Sequence, residues 1–182
     1  MNKALHIAIP ALLALFSAGC TSEEVKNTLS RQETNIENFV KARLAADENA
    51  YVVTNKGSSR VVMTEGEGET LNGGGTVTFY YAGYVLTSSS ISSSNLFATN
   101  REEVANAAGW SLTGQTFGAT TLNLDEAGLV EGLRNGLEGV KGGQECYILF
   151  SGRHGFGNKD YGTIPANSAL AYHIWIESIS ND

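Results

Sequence analysis

Positive charge is scarce in this chain. Its 182 residues carry 12 Lys and Arg against 19 Asp and Glu, a formal net charge of -7. A nucleic-acid binder needs clustered cations to meet phosphates, so nucleic acid is excluded as a partner. Histidine is scarce too: beyond His6 near the start there are only His154 and His173. No HxxxH or CxxC spacing accompanies them, so no metal site is expected. There is no GxSxG, which removes the strand-to-helix nucleophile turn of the serine hydrolases and leaves Ser151 and Ser168 as strand-end and turn residues. GFGNKDYG is neither GxGxxG nor a phosphate loop, because no GK[ST] follows. Proline occurs twice, as Pro10 and Pro165. The second stands at the seam between a glycine-punctuated loop and a strand.

The only long apolar run lies at the beginning. Lys3 precedes an apolar stretch from Ala4 to Phe16, then Ser17, Ala18, Gly19 and Cys20. That is the layout of a signal peptide over residues 1–19, and the run is too short to span a bilayer with ease. A cysteine directly after small residues resembles the lipobox of bacterial lipoproteins, with Ser17 in place of the usual Leu. Two readings stand: acylation of Cys20, or an ordinary secretory signal with a cysteine by chance. Acylation implies a membrane anchor of two or more chains, which holds where one barely does. It also implies an outer-membrane lipoprotein, facing the periplasm or the cell surface. With Cys20 acylated, Cys146 has no partner, so no disulfide is expected. In ECYILFSG it reads as a small buried hydrophobe.

Hydrophobic residues make up 42% of the chain, enough for a packed core. TSEEVKNTLSRQ reads as a polar tether. From about Thr34, Ile36, Phe39, Val40 and Leu44 form one apolar stripe at helical spacing. Residues 20–50 are thus a lipidated tether and amphipathic helix, and 51–182 a folded domain. AYVVTN and SRVVMTE predict two strands around NKGSS, and TVTFYYAGYVL is the strongest strand. TSSSISSSN is a flexible loop, LFATN is short and extended, REEVANAAGW a helical turn or two, and TTLNLD another strand. In EAGLVEGLRNGLEGVKGG, Leu129, Val130, Leu133, Leu137 and Val140 fall at helical spacing. Gly128, Gly132 and Gly136 run along another line of that helix. Each internal Gly costs about 1 kcal/mol of helix propensity, which a close approach to the sheet would offset. ECYILFSG and SALAYHIWIESI are the last strands. Asp125, Glu126 and Glu131 gather at the helix start, where acids favour the dipole. Many strands and one short helix give an α+β class: a bent antiparallel sheet wrapped around a helix, with an N-terminal helical extension.

From about Gly66 to Ser178 the chain resembles the FKBP-type peptidyl-prolyl cis-trans isomerase family. The carrying motifs are GGTVTFYYAGYV, LFATN, GLVEGLRNGLEGVKGGQECYILF and HGFGNKDYGTIPANSALAYHIWIESI. The resemblance implies a half-wrapped sheet with an apolar pocket against its helix. No cofactor is implied, and the partners are proline-containing segments of exported proteins. It assigns Tyr81, Phe97, Val130, Phe156 and Tyr172 to catalysis, Val130 through its backbone N–H. It assigns Leu129, Leu133, Tyr161 and Ile164 to substrate binding. Three positions depart from the family pattern: Ala98 stands for an Asp, Leu133 for a Trp and Phe156 for a Tyr. Reduced isomerase activity follows as one expectation, and a non-catalytic peptide-binding chaperone or adaptor as the other. An envelope adhesion or structural module is a third reading. Trp110 and Phe117, in a loop longer than the family's, are expected to refill the pocket.

Strand alternation adds one requirement. If Tyr81, Phe150 and Tyr172 face the pocket, Tyr80, Leu149 and Trp175 face the other way, with Tyr147 and His173. A solvated face should be polar, so this one needs a cover. The segment from Thr34 to Ala46 is one candidate, a dimer or partner the other.

Overall fold

A computed structural model describes residues 22–125 and 128–182. The leader over 1–19, the proposed lipidation site Cys20 and Glu126 lie outside the described residues.

The chain opens with helix α1, Ser22–Ala46. It begins twelve residues before Thr34, so SEEVKNTLSRQ is helix where a tether is expected from the sequence. Glu23 and Glu24 sit in its first turn, where the helix dipole favours acids. A polar surface alone does not break a helix whose inner stripe is anchored. Strands β1 (Tyr51–Asn55) and β2 (Ser58–Thr64) form a hairpin. Then come β3 (Thr76–Val85), β4 (Leu96–Thr99), helix α2 (Glu102–Ala107) and β5 (Thr120–Asn123). Helix α3 (Glu131–Leu137), β6 (Glu145–Phe150) and β7 (Leu170–Ser180) complete the domain. All pairings are antiparallel, in the order β1-β2-β6-β7-β3-β4, with β5 also pairing with β3. The α+β expectation holds: one bent sheet carries α3 on its concave side and α1 on its convex side.

Helix α3 is shorter than its apolar periodicity predicts. Leu129 and Val130 lie before it, Val130 with extended backbone at φ -61°, ψ 134°. Gly128 at φ 102° and Gly139 at φ 85° bound the segment, and that left-handed backbone interrupts a helix. Its C-terminal end is held by Arg60 of β2. The guanidinium donates to the carbonyls of Gly136 and Glu138, each at 2.7 Å, and of Gly139 at 3.1 Å. A cation here satisfies the orphan carbonyls and meets the negative end of the dipole. Ser58 Oγ also donates to the Gly132 carbonyl at 2.6 Å.

The glycine line lets α3 touch the sheet. A Cβ on Gly132 would lie 2.2 Å from the Phe150 ring, and one on Gly136 would lie 2.1 Å from Ile148 Cγ2. The main core gathers Phe79, Leu137, Ile148, Phe150, Leu170 and Ile174 between helix and sheet. Cys146 is buried there as a free thiol.

The convex face is covered from two sides. Ile36 and Phe39 of α1 pack on Val61, Leu149, Ala169 and Ala171, with Tyr147 at the edge. Tyr80 and Trp175 lie beyond its reach. Arg101, just before α2, places its guanidinium 4.1 Å from the Trp175 ring and 5.9 Å from Tyr80. Between these covers His173 stacks on Tyr147 at 4.1 Å and meets Trp175 at 3.7 Å. So the expected helix cover is real for Leu149, and a cation–π contact shields Trp175.

Candidate active site

On the concave side, α3, β3, β4, β5, β7 and the flap between β6 and β7 enclose a pocket of about 440 Å³. Tyr81 of β3 and Tyr172 of β7 form its aromatic walls, with ring centroids 6.5 Å apart. Phe97 of β4 meets Tyr172 edge-on at 5.7 Å and 85°. Gly83 makes this contact possible, since a Cβ there would stand 2.6 Å from Phe97 Cζ. Phe150 stacks behind Tyr172 at 6.0 Å and fixes that wall from the core side. Leu133 supplies the floor, 6% exposed.

The flap brings the remaining lining. Tyr161 and Ile164 exchange both backbone hydrogen bonds, each 2.9 Å, across a tight turn containing Gly162. That turn drives Ile164 inward, where it is buried. Phe156 and Tyr161 stack face to face at 4.6 Å and 2°. Asp160 accepts the Ala166 N–H at 2.8 Å and steadies the turn around Pro165. Below the flap, His154 Nδ1 lies 3.3 Å from Glu131 Oε1 in the first turn of α3, without the geometry of a hydrogen bond.

All nine pocket positions assigned from the sequence meet in this one cavity: Tyr81, Phe97, Val130, Phe156, Tyr172, Leu129, Leu133, Tyr161 and Ile164. Trp110 and Phe117 do not line it. Residues 101–119 instead leave the sheet through α2, whose close is marked by the Trp110 N–H bonding Ala105. The expected refilling of the pocket by these two aromatic residues is therefore not found. Sequence reasoning missed Phe79, Thr120 and Leu122. Phe79 and Thr120 face each other in the β3–β5 register, and strand β5 was too short for its facing to be read. It also missed Asn100. That side chain accepts the Tyr81 N–H at 2.7 Å and donates to the Phe79 carbonyl and Thr120 Oγ1, each at 3.1 Å. A lone Asn after LFAT gives no signal of such bridging.

The chemistry of the lining is apolar with a few donors. Burial pushes the Tyr81 and Tyr172 phenols above their ordinary range, so both stay protonated at neutral pH. Among the described residues neither hydroxyl has a hydrogen-bond partner, and Ala98 offers Tyr81 none. The Val130 N–H likewise has no acceptor among the described residues, while its carbonyl accepts from Arg134. Among the described residues no three His, Cys, Asp or Glu side chains gather as metal ligands.

Known proteins give the same architecture. No curated protein matches the sequence. Among solved structures, the peptidyl-prolyl cis-trans isomerase of Pseudomonas syringae pv. tomato is 16% identical with a TM-score of 0.57, over 86% of this chain and 96% of that one. FkpA of Escherichia coli is 17% identical with a TM-score of 0.56, over 87% of this chain and 63% of that one. The three FKBP domains of wheat FKBP73 give 20% identity and a TM-score of 0.56, over 73% of this chain and 50% of that one. The chain thus spans half of the wheat protein and under two thirds of FkpA, and at such identities the likeness is one of fold. Residues 67–177, which carry every pocket side chain named above, match the family model for FKBP-type peptidyl-prolyl cis-trans isomerase, and the chain belongs to that family.

Proposed function

We propose that this protein catalyses cis–trans isomerisation of X-Pro bonds in exported or envelope proteins, more slowly than relatives that keep Asp, Trp and Tyr at positions 98, 133 and 156. The observation that carries the reading is an open-mouthed, largely apolar pocket whose lining includes Val130, with a backbone N–H that has no acceptor among the described residues. Rotation about X-Pro breaks no covalent bond. Its barrier of ~18–20 kcal/mol is the lost amide resonance. A catalyst has to favour the twisted amide over the planar one. The twisted carbonyl is less polar, so a dry aromatic wall suits it better than water does. Tyr81, Phe97 and Tyr172 would grip the proline ring, with Leu133 beneath. Val130 N–H would hold a neighbouring carbonyl, leaving the reacting bond free to turn. Phe156 brings no hydroxyl and Ala98 no carboxylate, each a loss of ~1–2 kcal/mol of orientation.

A protease-coupled assay with an X-Pro peptide tests this. Exchange faster than the uncatalysed rate is expected. A rate equal to the uncatalysed one, with peptide binding retained, would favour the second reading, a non-catalytic chaperone or adaptor. That reading is favoured by the same apolar replacements at Ala98 and Phe156. We further propose that Cys20 is acylated and holds the domain at the outer membrane, facing the periplasm or the cell surface. The leader pattern supports it, and no helix among the described residues is long and apolar enough to cross a membrane. Cys20→Ser should move the protein from the detergent phase to the aqueous phase and abolish palmitate labelling.

A further inference from the structure

Both ends of the flap run beneath α1, and one side chain of that helix meets them both. Gln32 is buried, 8% exposed, one turn before the apolar anchors Ile36 and Phe39. Its Nε2 donates to the Asn167 carbonyl at 2.7 Å. Its Oε1 accepts the Gly152 N–H at 2.9 Å. A carboxamide has one donating and one accepting end, and the two partners here demand that orientation. The ends are also pressed together. A Cβ on Gly152 would lie 2.1 Å from the Asn167 carbonyl oxygen. Asn167 takes the left-handed backbone at φ 56°, and its N–H donates to the Gly157 carbonyl at 2.7 Å. Between these closed ends lie Phe156, Tyr161 and Ile164, three of the pocket's lining residues. No residue of α1 lines the pocket itself.

We infer that Gln32 is a positioning residue for the proline pocket, and that the N-terminal helix sets the flap's position through this carboxamide. The inference rests on reading the pocket as an X-Pro site. A loop freed at its ends recovers conformational entropy, and its lining side chains then lose their common geometry. Helix α1 thus reaches the pocket's lining by way of the flap, from outside the segment 67–177 that matches the family model.

The test uses the full chain with Gln32→Met, which keeps the stem's bulk and removes both hydrogen bonds. Amide exchange at Gly152, whose N–H loses its acceptor, should accelerate about tenfold, the scale of one buried hydrogen bond, and exchange at Asn167, whose N–H donates to Gly157, should follow as the flap end loosens. Exchange in β3 and β7 should stay unchanged. KM for an X-Pro peptide should rise several-fold, with a smaller change in kcat. Gln32→Glu retains an acceptor, so it should restore protection at Gly152 without restoring KM. Unchanged flap exchange in Gln32→Met would overturn the inference. So would acceleration spread equally over β3 and β7, which marks a purely structural role, or a loosened flap with unchanged KM. A wild-type chain with no isomerase activity refutes the isomerase reading, and peptide affinity and the exchange pattern then decide the role of Gln32.

Discussion

Gly132→Ala probes the contact on which the pocket's back wall depends. In the native chain a Cβ at this position would stand 2.2 Å from Phe150 Cγ, whereas ordinary contact begins at 3.4 Å. The ring has to retreat by about 1 Å, or α3 has to lift, and overpacking of this kind costs ~1–3 kcal/mol. The upper end applies, because Phe150 is fully buried and stacked on Tyr172. Alanine returns about 1 kcal/mol of helix propensity. The net loss is about 2 kcal/mol, or about 4–8 °C in Tm for a chain of this size. Differential scanning calorimetry reads it, with urea melts as a second probe. Peptide affinity should fall too, since a displaced Phe150 pushes Tyr172 into the pocket. Gly136→Ala is the control. Its Cβ meets Ile148, which does not line the pocket, so stability should fall while affinity holds. A Gly132→Ala protein as stable as wild type would show that α3 does not sit this close to β6.

Phe156→Tyr should raise kcat/KM for an X-Pro peptide about tenfold, the worth of one regained orienting hydrogen bond, and an unchanged value would refute the flap assignment. Burial holds His173 well below its ordinary 6.5, with the Glu145 hydrogen bond at 2.7 Å opposing that shift. The unfolded chain then binds a proton that the folded chain refuses, so stability is full above about pH 6.5 and declines as the pH falls below it. His173→Phe should flatten that limb of a Tm-against-pH curve, before the carboxylates titrate. Burial pushes the Cys146 thiol up to about 12, so a thiol reagent at pH 8 should label it only at the rate of unfolding. Rapid labelling of the native protein would contradict its place in the core.

Period-two and period-3.6 patterns make most of the strands and the inner stripe of α1 legible in the sequence. They also sorted Phe150 from Leu149 correctly, because alternation depends only on backbone geometry. The pocket residues were legible through a resemblance to a family, since Tyr81 and Tyr172 are about ninety residues apart and no local rule joins them. Apolar spacing predicts too long an α3 because it says nothing of φ, and Gly128 and Gly139 bound the regular backbone. The first turns of α1 read as tether because their polar residues carry no periodic signal, and Gln32 is hidden among them. Arg101 was likewise invisible as a cover for Trp175, since a cation–π contact leaves no pattern in sequence.

The last of the described strands stands in the middle of the sheet. Strand β7 joins β6 on one side to β3 on the other. During synthesis the domain therefore exists as two unjoined pieces, β1-β2-β6 and β3 with β4 and β5, until residues 170–180 appear. Each piece then shows an open edge to its surroundings, which is when aggregation threatens a growing chain. Joining the two pieces requires β7, and long-range pairings of this kind form slowly. A chain cut short before Leu170 loses the seam of the sheet, with both halves of the pocket left unable to meet.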